Sequence, residues 1–316
     1  MFFAIGSIVL ISSCTNSTAV LEESCLQCHS TDVQDAIGLQ FFASAHRAGA
    51  IAVDYAGGRG SCAPCHSHEQ FISWTETGES GNISAPSAWQ CKTCHNTHQT
   101  FTDEDEAFRV TGATQMIFDT TVVFDNGNSN LCAICHQSRR AEPNIDKPGA
   151  TYNITSTHYG PHHGAQANVV MGAGFAEIAG STAYPTTDHA HWAVGCTGCH
   201  MDANAEAGEG GHTFNPSLAK CNECHASESF DYGGFQTEVE EMLAELRDLL
   251  VDHHVLHPDT TVTPTEYHPV TGDYDMKLVQ GFFNWVGLEE DRSLGAHHPK
   301  YVEALLKNSI EAVEGL

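Results

Sequence analysis

Residues 188–201 read DHAHWAVGCTGCHM, and the unit Cys196-Thr197-Gly198-Cys199-His200 inside them decides how the chain is built. Two thiols one short turn apart can add to the two vinyl groups of one porphyrin, and the imidazole that follows reaches the iron from one face. Working outward, the same C-x-x-C-H unit recurs with Cys25, Cys28 and His29, with Cys62, Cys65 and His66, and with Cys91, Cys94 and His95. It recurs again with Cys132, Cys135 and His136, and with Cys221, Cys224 and His225. Composition alone would generate about 0.03 such units, so the repetition is a built feature. Six units predict six covalent c-type haems, with the twelve cysteines as anchors and the six motif histidines as proximal iron ligands. Four-cysteine zinc sites and structural disulfides also reuse paired cysteines, but neither calls for a histidine after every pair.

The chain of 316 residues holds 13 cysteines, so Cys14 alone stands outside the motifs, and it holds 21 histidines against six methionines. A histidine surplus is what bis-histidine ligation requires, and that ligation favours lower potentials than methionine does. Six porphyrins leave about fifty residues to wrap each one, so the cofactors must supply much of the core. With 28 Gly, 11 Pro and 41% apolar residues, the expected fold is mainly α with extensive irregular loop and little or no β, wrapped around stacked haems. The formal charge of −27 excludes nucleic acid as a partner and fits an acidic surface that steers cationic partners or serves solubility.

Four segments follow. Residues 1–14, MFFAIGSIVLISSC, form an apolar run of signal-peptide length whose end resembles a bacterial lipobox, making Cys14 the candidate for a lipid anchor. Residues 15–140 carry four motifs, and residues 141–230 carry two motifs and a Gly-, Thr-, His- and Pro-rich stretch that wraps haems of both halves. Residues 231–316 change character: Val239, Met242, Leu243, Leu246, Leu249 and Leu250 recur at helical spacing. A second helix is expected near 276–286. A third is expected from Pro299, with Val302, Leu305, Leu306, Ile310 and Val313 on one face.

The surroundings of the motifs resemble the multihaem cytochromes c related to cytochrome c nitrite reductase, hydroxylamine oxidoreductase and their bis-histidine electron carriers. Subunits of extracellular cytochrome filaments look similar as well. The resemblance rests on Ser44-Ala45-His46, CKTCHNTH ending at His98, YGPHHGAQ with His162 and His163, and DHAHWAVGCTGCHM with His189 and His191. The GGHTF around His212 and DRSLGAHHPKY with His297 complete it. In such proteins histidines in these settings cap the iron of another loop's haem, which implies His46, His98, His162, His189, His212 and His297 as distal ligands. His158, His163, His191, His254, His257 and His298 are the reserves, and adjacent pairs are equivalent at this level. Where nitrite reductases of this lineage hold the catalytic haem with a CxxCK lysine, all six motifs here end in histidine. Arg139 and Arg140, beside His136, suit haem propionates or a small anion.

The resemblance and the motifs together imply an exported electron carrier in the periplasm, at the outer membrane or outside the cell. Its expected partners are redox proteins or extracellular acceptors, or further copies of itself in a filament. The alternative is an enzyme reducing nitrite, hydroxylamine or a sulfur oxyanion at one open haem.

Overall fold

A computed structural model describes residues 29–48, 50–99, 107–186, 189–203 and 208–316. Cys14, residues 1–14 and the first cysteine pair, Cys25 and Cys28, lie outside the described residues. Among the described residues six helices run ten residues or more: α1 (Thr31–Ala43), α2 (His68–Thr77), α3 (Ala190–His200), α4 (Phe235–Asp252), α5 (Met276–Asp291) and α6 (Pro299–Glu314). The strands form three separate antiparallel pairs: β1 (Thr114–Gln115) with β2 (Val123–Phe124), β3 (Thr151–Ile154) with β6 (Gly272–Asp275), and β4 (Leu256–Asp259) with β5 (Glu266–Pro269). The chain is mainly α with short strands and long loops, as the composition implied.

The apolar stripe of residues 239–250 forms α4 because its leucines recur at helical spacing and Asp231 ties down the first turn. The Asp231 carboxylate accepts from the amide of Gln236 at 2.8 Å and from the Thr237 hydroxyl at 2.7 Å. Asp275 caps α5 through the amide of Lys277 at 2.8 Å, and Pro299 occupies the first turn of α6, where its missing N–H costs nothing. The three helices pack Val239, Leu243, Leu246, Leu250, Val279, Phe282, Phe283, Leu305, Leu306 and Val313 into one core. The Trp285 indole donates to the Leu243 carbonyl at 3.1 Å and locks α5 to α4.

That core is not confined to residues 231–316. Tyr152, Ile154, Tyr159, Val169 and Phe175 enter it, and β3 pairs residue by residue with β6, Thr151 opposite Asp275. Two buried asparagines fasten the stretch 176–182 to the helices. Asn284 exchanges two hydrogen bonds with the backbone of Ala176, at 2.9 and 2.8 Å, and Asn308 does the same with Thr182, at 3.0 and 2.8 Å. An amide side chain can imitate a strand neighbour in this way, which satisfies backbone groups that no helix or sheet reaches.

Candidate cofactor channel

In the described motifs the two thiols and the imidazole ride on one tight turn. The histidine amide donates to the carbonyl of the first cysteine at 3.1 Å in His66, 2.9 Å in His95, 3.0 Å in His136 and 2.8 Å in His225. In the fifth motif the turn belongs to α3, which breaks at Gly195 (φ 69°) immediately before Cys196. A side chain there would meet Ser129 Oγ at 2.5 Å and Asn126 Oδ1 at 2.6 Å, so the position needs glycine both for its backbone and for its space. Ser129 Oγ accepts from the Cys196 amide at 2.9 Å, and the Asn126 amide donates to the Trp192 carbonyl at 2.6 Å. The loop before the fourth motif thereby caps the break and sets the fifth motif beside it. Arg109 serves the third motif, donating to the Lys92 carbonyl at 2.8 Å while pairing with Glu76 at 2.8 Å.

The motifs adjoin one another out of sequence order. The thiols of Cys65 in the second motif and Cys135 in the fourth are neighbours, and so are those of Cys132 in the fourth and Cys196 in the fifth. Among the described residues the ten motif cysteines form no disulfide, and no three His, Cys, Asp or Glu groups converge to hold a bare metal ion.

Each motif histidine faces a second imidazole at nearly one distance. Ring centres are 6.0 Å apart for His29 and His98, 6.1 Å for His66 and His162, and 6.1 Å for His95 and His212. They are 6.0 Å apart for His136 and His46, 6.2 Å for His200 and His297, and 6.0 Å for His225 and His191. An iron with an imidazole nitrogen at about 2 Å on either side would hold two ring centres about 6 Å apart. Rings at this spacing do not touch, and a metal ion bound by both imidazoles would fit the gap between them.

Five of the six expected partners, His46, His98, His162, His212 and His297, stand opposite a motif histidine. The sixth position differs from the expectation. His191 faces His225, while His189 packs on His298 at 3.9 Å between ring centres and its Nε2 bonds the Val170 carbonyl at 2.7 Å. His189 is the residue before α3 and His191 lies inside its first turn, so two residues turn the rings to different neighbours. Of the other reserves, His163 pairs with Glu290 at 2.8 Å and His298 caps α6. Two facing histidines carry a strained backbone, His98 at φ 62° and His162 at φ 93°, conformations costing of order 1–3 kcal/mol that persist where the surroundings dictate them.

Burial tunes these rings toward the metal-binding form. Desolvation first, then the neighbouring His136 and His200, pushes His46 down to about 4, and desolvation followed by Arg139 pushes His162 down to about 4. Both are neutral at ordinary pH, as a ligand must be. His297 moves the other way: burial opposes its charge, but the Asp291 carboxylate outweighs burial and raises it.

The ten cysteines and five histidines of motifs two to six, and the facing rings of His46, His162, His191, His212 and His297, line one continuous cavity of about 2480 Å³. That is about 500 Å³ per motif, within the roughly 300–1,000 Å³ of a site enclosing a cofactor-sized molecule. Nδ1 of His46 is buried without a hydrogen-bond partner. Ring spacing, donor set and volume therefore fit haem. Arg139 lines the cavity and Arg140 lies over the Tyr159 ring at 5.2 Å, so two residues paired in sequence have separate surroundings.

No family model matches the chain, and no curated protein matches it in sequence. A solved structure does. The fold is similar to that in the crystal structure of the outer cell wall cytochrome OcwA, with TM-score 0.55 and 14% identity over 87% of this chain. The match covers 49% of that cytochrome, so this chain spans about half its length. At this identity the likeness concerns the fold. Among the described residues no helix is long and apolar enough to cross a membrane.

Sequence reading missed the groups that set the rings. Gln166 Oε1 meets His136 Nδ1 at 3.0 Å, the Phe214 carbonyl accepts from His200 at 2.8 Å, and Gln40 Oε1 takes the His212 amide at 3.0 Å. Backbone carbonyls and neutral amides leave no sequence signature. Asp291, which bonds the His297 ring, lies inside the quoted DRSLGAHHPKY, as Gln166 lies inside YGPHHGAQ and Phe214 inside GGHTF, but only the charged Asp291 stands out by residue type.

Proposed function

We propose that this chain is a six-haem electron-transfer protein in which every iron is held between two histidines. The carrying observation is the set of six imidazole pairs at 6.0–6.2 Å, each joining one motif histidine to one histidine from elsewhere in the chain. A c-type haem supplies a one-electron couple at its iron. The chain anchors it by the two motif thiols, caps both axial positions, fixes neighbouring sites within one cavity and keeps water away from it. The fourth motif is the junction, because its thiols adjoin those of the second and the fifth.

The enzyme alternative requires an axial position left open, and each of the six motif histidines faces a second ring. An extracytoplasmic site of action follows from the motif chemistry, with a lipid anchor at Cys14, and redox proteins or extracellular acceptors are the proposed partners. Self-assembly into a filament is a further proposal, which electron microscopy of native material decides.

The deciding experiment uses protein matured in a c-type expression host. A pyridine haemochrome assay returns six haems per chain, and electron paramagnetic resonance of the oxidised protein shows only low-spin iron. His191→Ala converts one haem to high spin, while His189→Ala leaves all six low spin. A high-spin haem in the wild type that binds nitrite would replace this reading with the enzyme.

A further inference from the structure

The rings proposed as axial ligands differ in what their outer nitrogen meets. For His136 it is the neutral amide oxygen of Gln166 at 3.0 Å, for His200 the Phe214 carbonyl at 2.8 Å, and for His191 the Ala296 carbonyl at 2.6 Å. His297 alone among these meets a carboxylate, Nδ1 donating to Asp291 Oδ1 at 2.6 Å. The Asp291 side chain is 1% exposed. Burying a carboxylate costs several kcal/mol unless it is paired, so its placement here demands partners. It has two: the His297 ring and the Ser293 hydroxyl, which donates to Oδ2.

The chain between them is shaped for this contact. Asp291 closes α5, and Arg292, Leu294 and Gly295 then take left-handed angles of 59°, 47° and 85°, so the six residues to His297 fold back on the helix end. Gln236 of α4 clamps the loop through the Ser293 carbonyl at 2.8 Å, and Ser293 Oγ also takes the His297 amide at 3.3 Å. Two non-glycine residues in a left-handed conformation cost free energy, and what this loop achieves is the seating of one imidazole on one carboxylate.

We infer that Asp291 is a positioning residue that lowers the potential of the haem of Cys196, Cys199 and His200 by polarising its distal ligand, His297. The inference rests on the bis-histidine reading. Two effects act with one sign. A carboxylate accepting from the outer nitrogen makes the imidazole a stronger donor to iron, and a buried negative charge near the iron favours its more positive, oxidised state. The other three rings have neutral acceptors and receive the first effect only weakly. Ser293 moderates the device, since its hydroxyl draws charge from the same carboxylate.

The test compares holoprotein of wild type, Asp291→Asn, Ser293→Ala and His297→Ala by spectroelectrochemical titration and electron paramagnetic resonance. Asp291→Asn keeps the shape and removes the charge, so one of six midpoint potentials moves upward, one low-spin signal changes its g-values, and haem content stays at six. Ser293→Ala shifts the same haem in the opposite direction, which general loosening of the loop would not do. If Asp291→Asn loses haem, the downward shift in Ser293→Ala alone decides, and its absence overturns the inference. His297→Ala separates the two claims. If it produces one high-spin haem while the other two variants titrate as wild type, the role of Asp291 is overturned and the ligation stands. If it leaves every haem low spin, the ligation fails.

Discussion

Residues 235–314 bury Leu246, Leu250, Phe282, Phe283, Leu305 and Leu306 against one another, whereas residues 29–140 contribute only to small separate clusters such as Phe71 with Leu131 and Ile134. Exposure points the same way. Among the described residues ten of the twelve large apolar side chains left exposed precede residue 235, and Ile37, Phe42, Ile51 and Phe230 among them line the cavity of the motifs. One region has a core of its own. The other arranges apolar side chains around a space that porphyrin faces would fill, so its stability is tied to cofactor attachment while that of the helical region is not.

The largest effect expected from this contrast is on protein expressed without haem attachment. Hydrogen exchange followed by mass spectrometry should find slow exchange in α4, α5 and α6 and fast exchange through the motif segments between residues 50 and 140. Equal protection in both regions would break the comparison. Next in size is Phe282→Ala, in a fully buried position, which should cost about 3–5 kcal/mol in denaturant unfolding of the helical region while leaving six haems attached. Loss of haem in this variant would show that the two regions depend on each other. Asn284→Ala follows. It strips the Ala176 N–H and C=O of their side-chain partner and the Ser309 hydroxyl of one donor, and should cost about 1–3 kcal/mol, read as earlier exchange of the Ala176 amide.

The smallest effect concerns acid. The Thr237 hydroxyl, then the Gln236 and Thr237 amides, hold the Asp231 carboxyl below its ordinary value of 3.8. A depressed carboxyl contributes stability that is present above its unfolded pKa and lost as pH falls through the folded one. The first turn of α4 should therefore fray only below about pH 4, and Asp231→Asn should remove that pH dependence in amide exchange at residues 236–237. Fraying that begins near neutral pH would assign the capping to another group.

Much of this molecule was readable from residues alone, for a local reason. A C-x-x-C-H unit needs only one turn of backbone, and helical spacing in α4, α5 and α6 repeats within a few residues, so both are written in short stretches. Five facing histidines were marked by their settings, and the choice between His189 and His191 was not. Both lie on the same short segment, with the same chemistry, and only the Val170 carbonyl and the His298 ring decide which one turns toward His225. The adjacency of the fourth motif to the second and fifth, the entry of Tyr152 and Phe175 into the C-terminal core, and the seating of His297 on Asp291 were likewise settled by tertiary structure. Each joins groups whose meeting depends on how loops close around a shared interior, and nothing in the local spacing of residues encodes that closure.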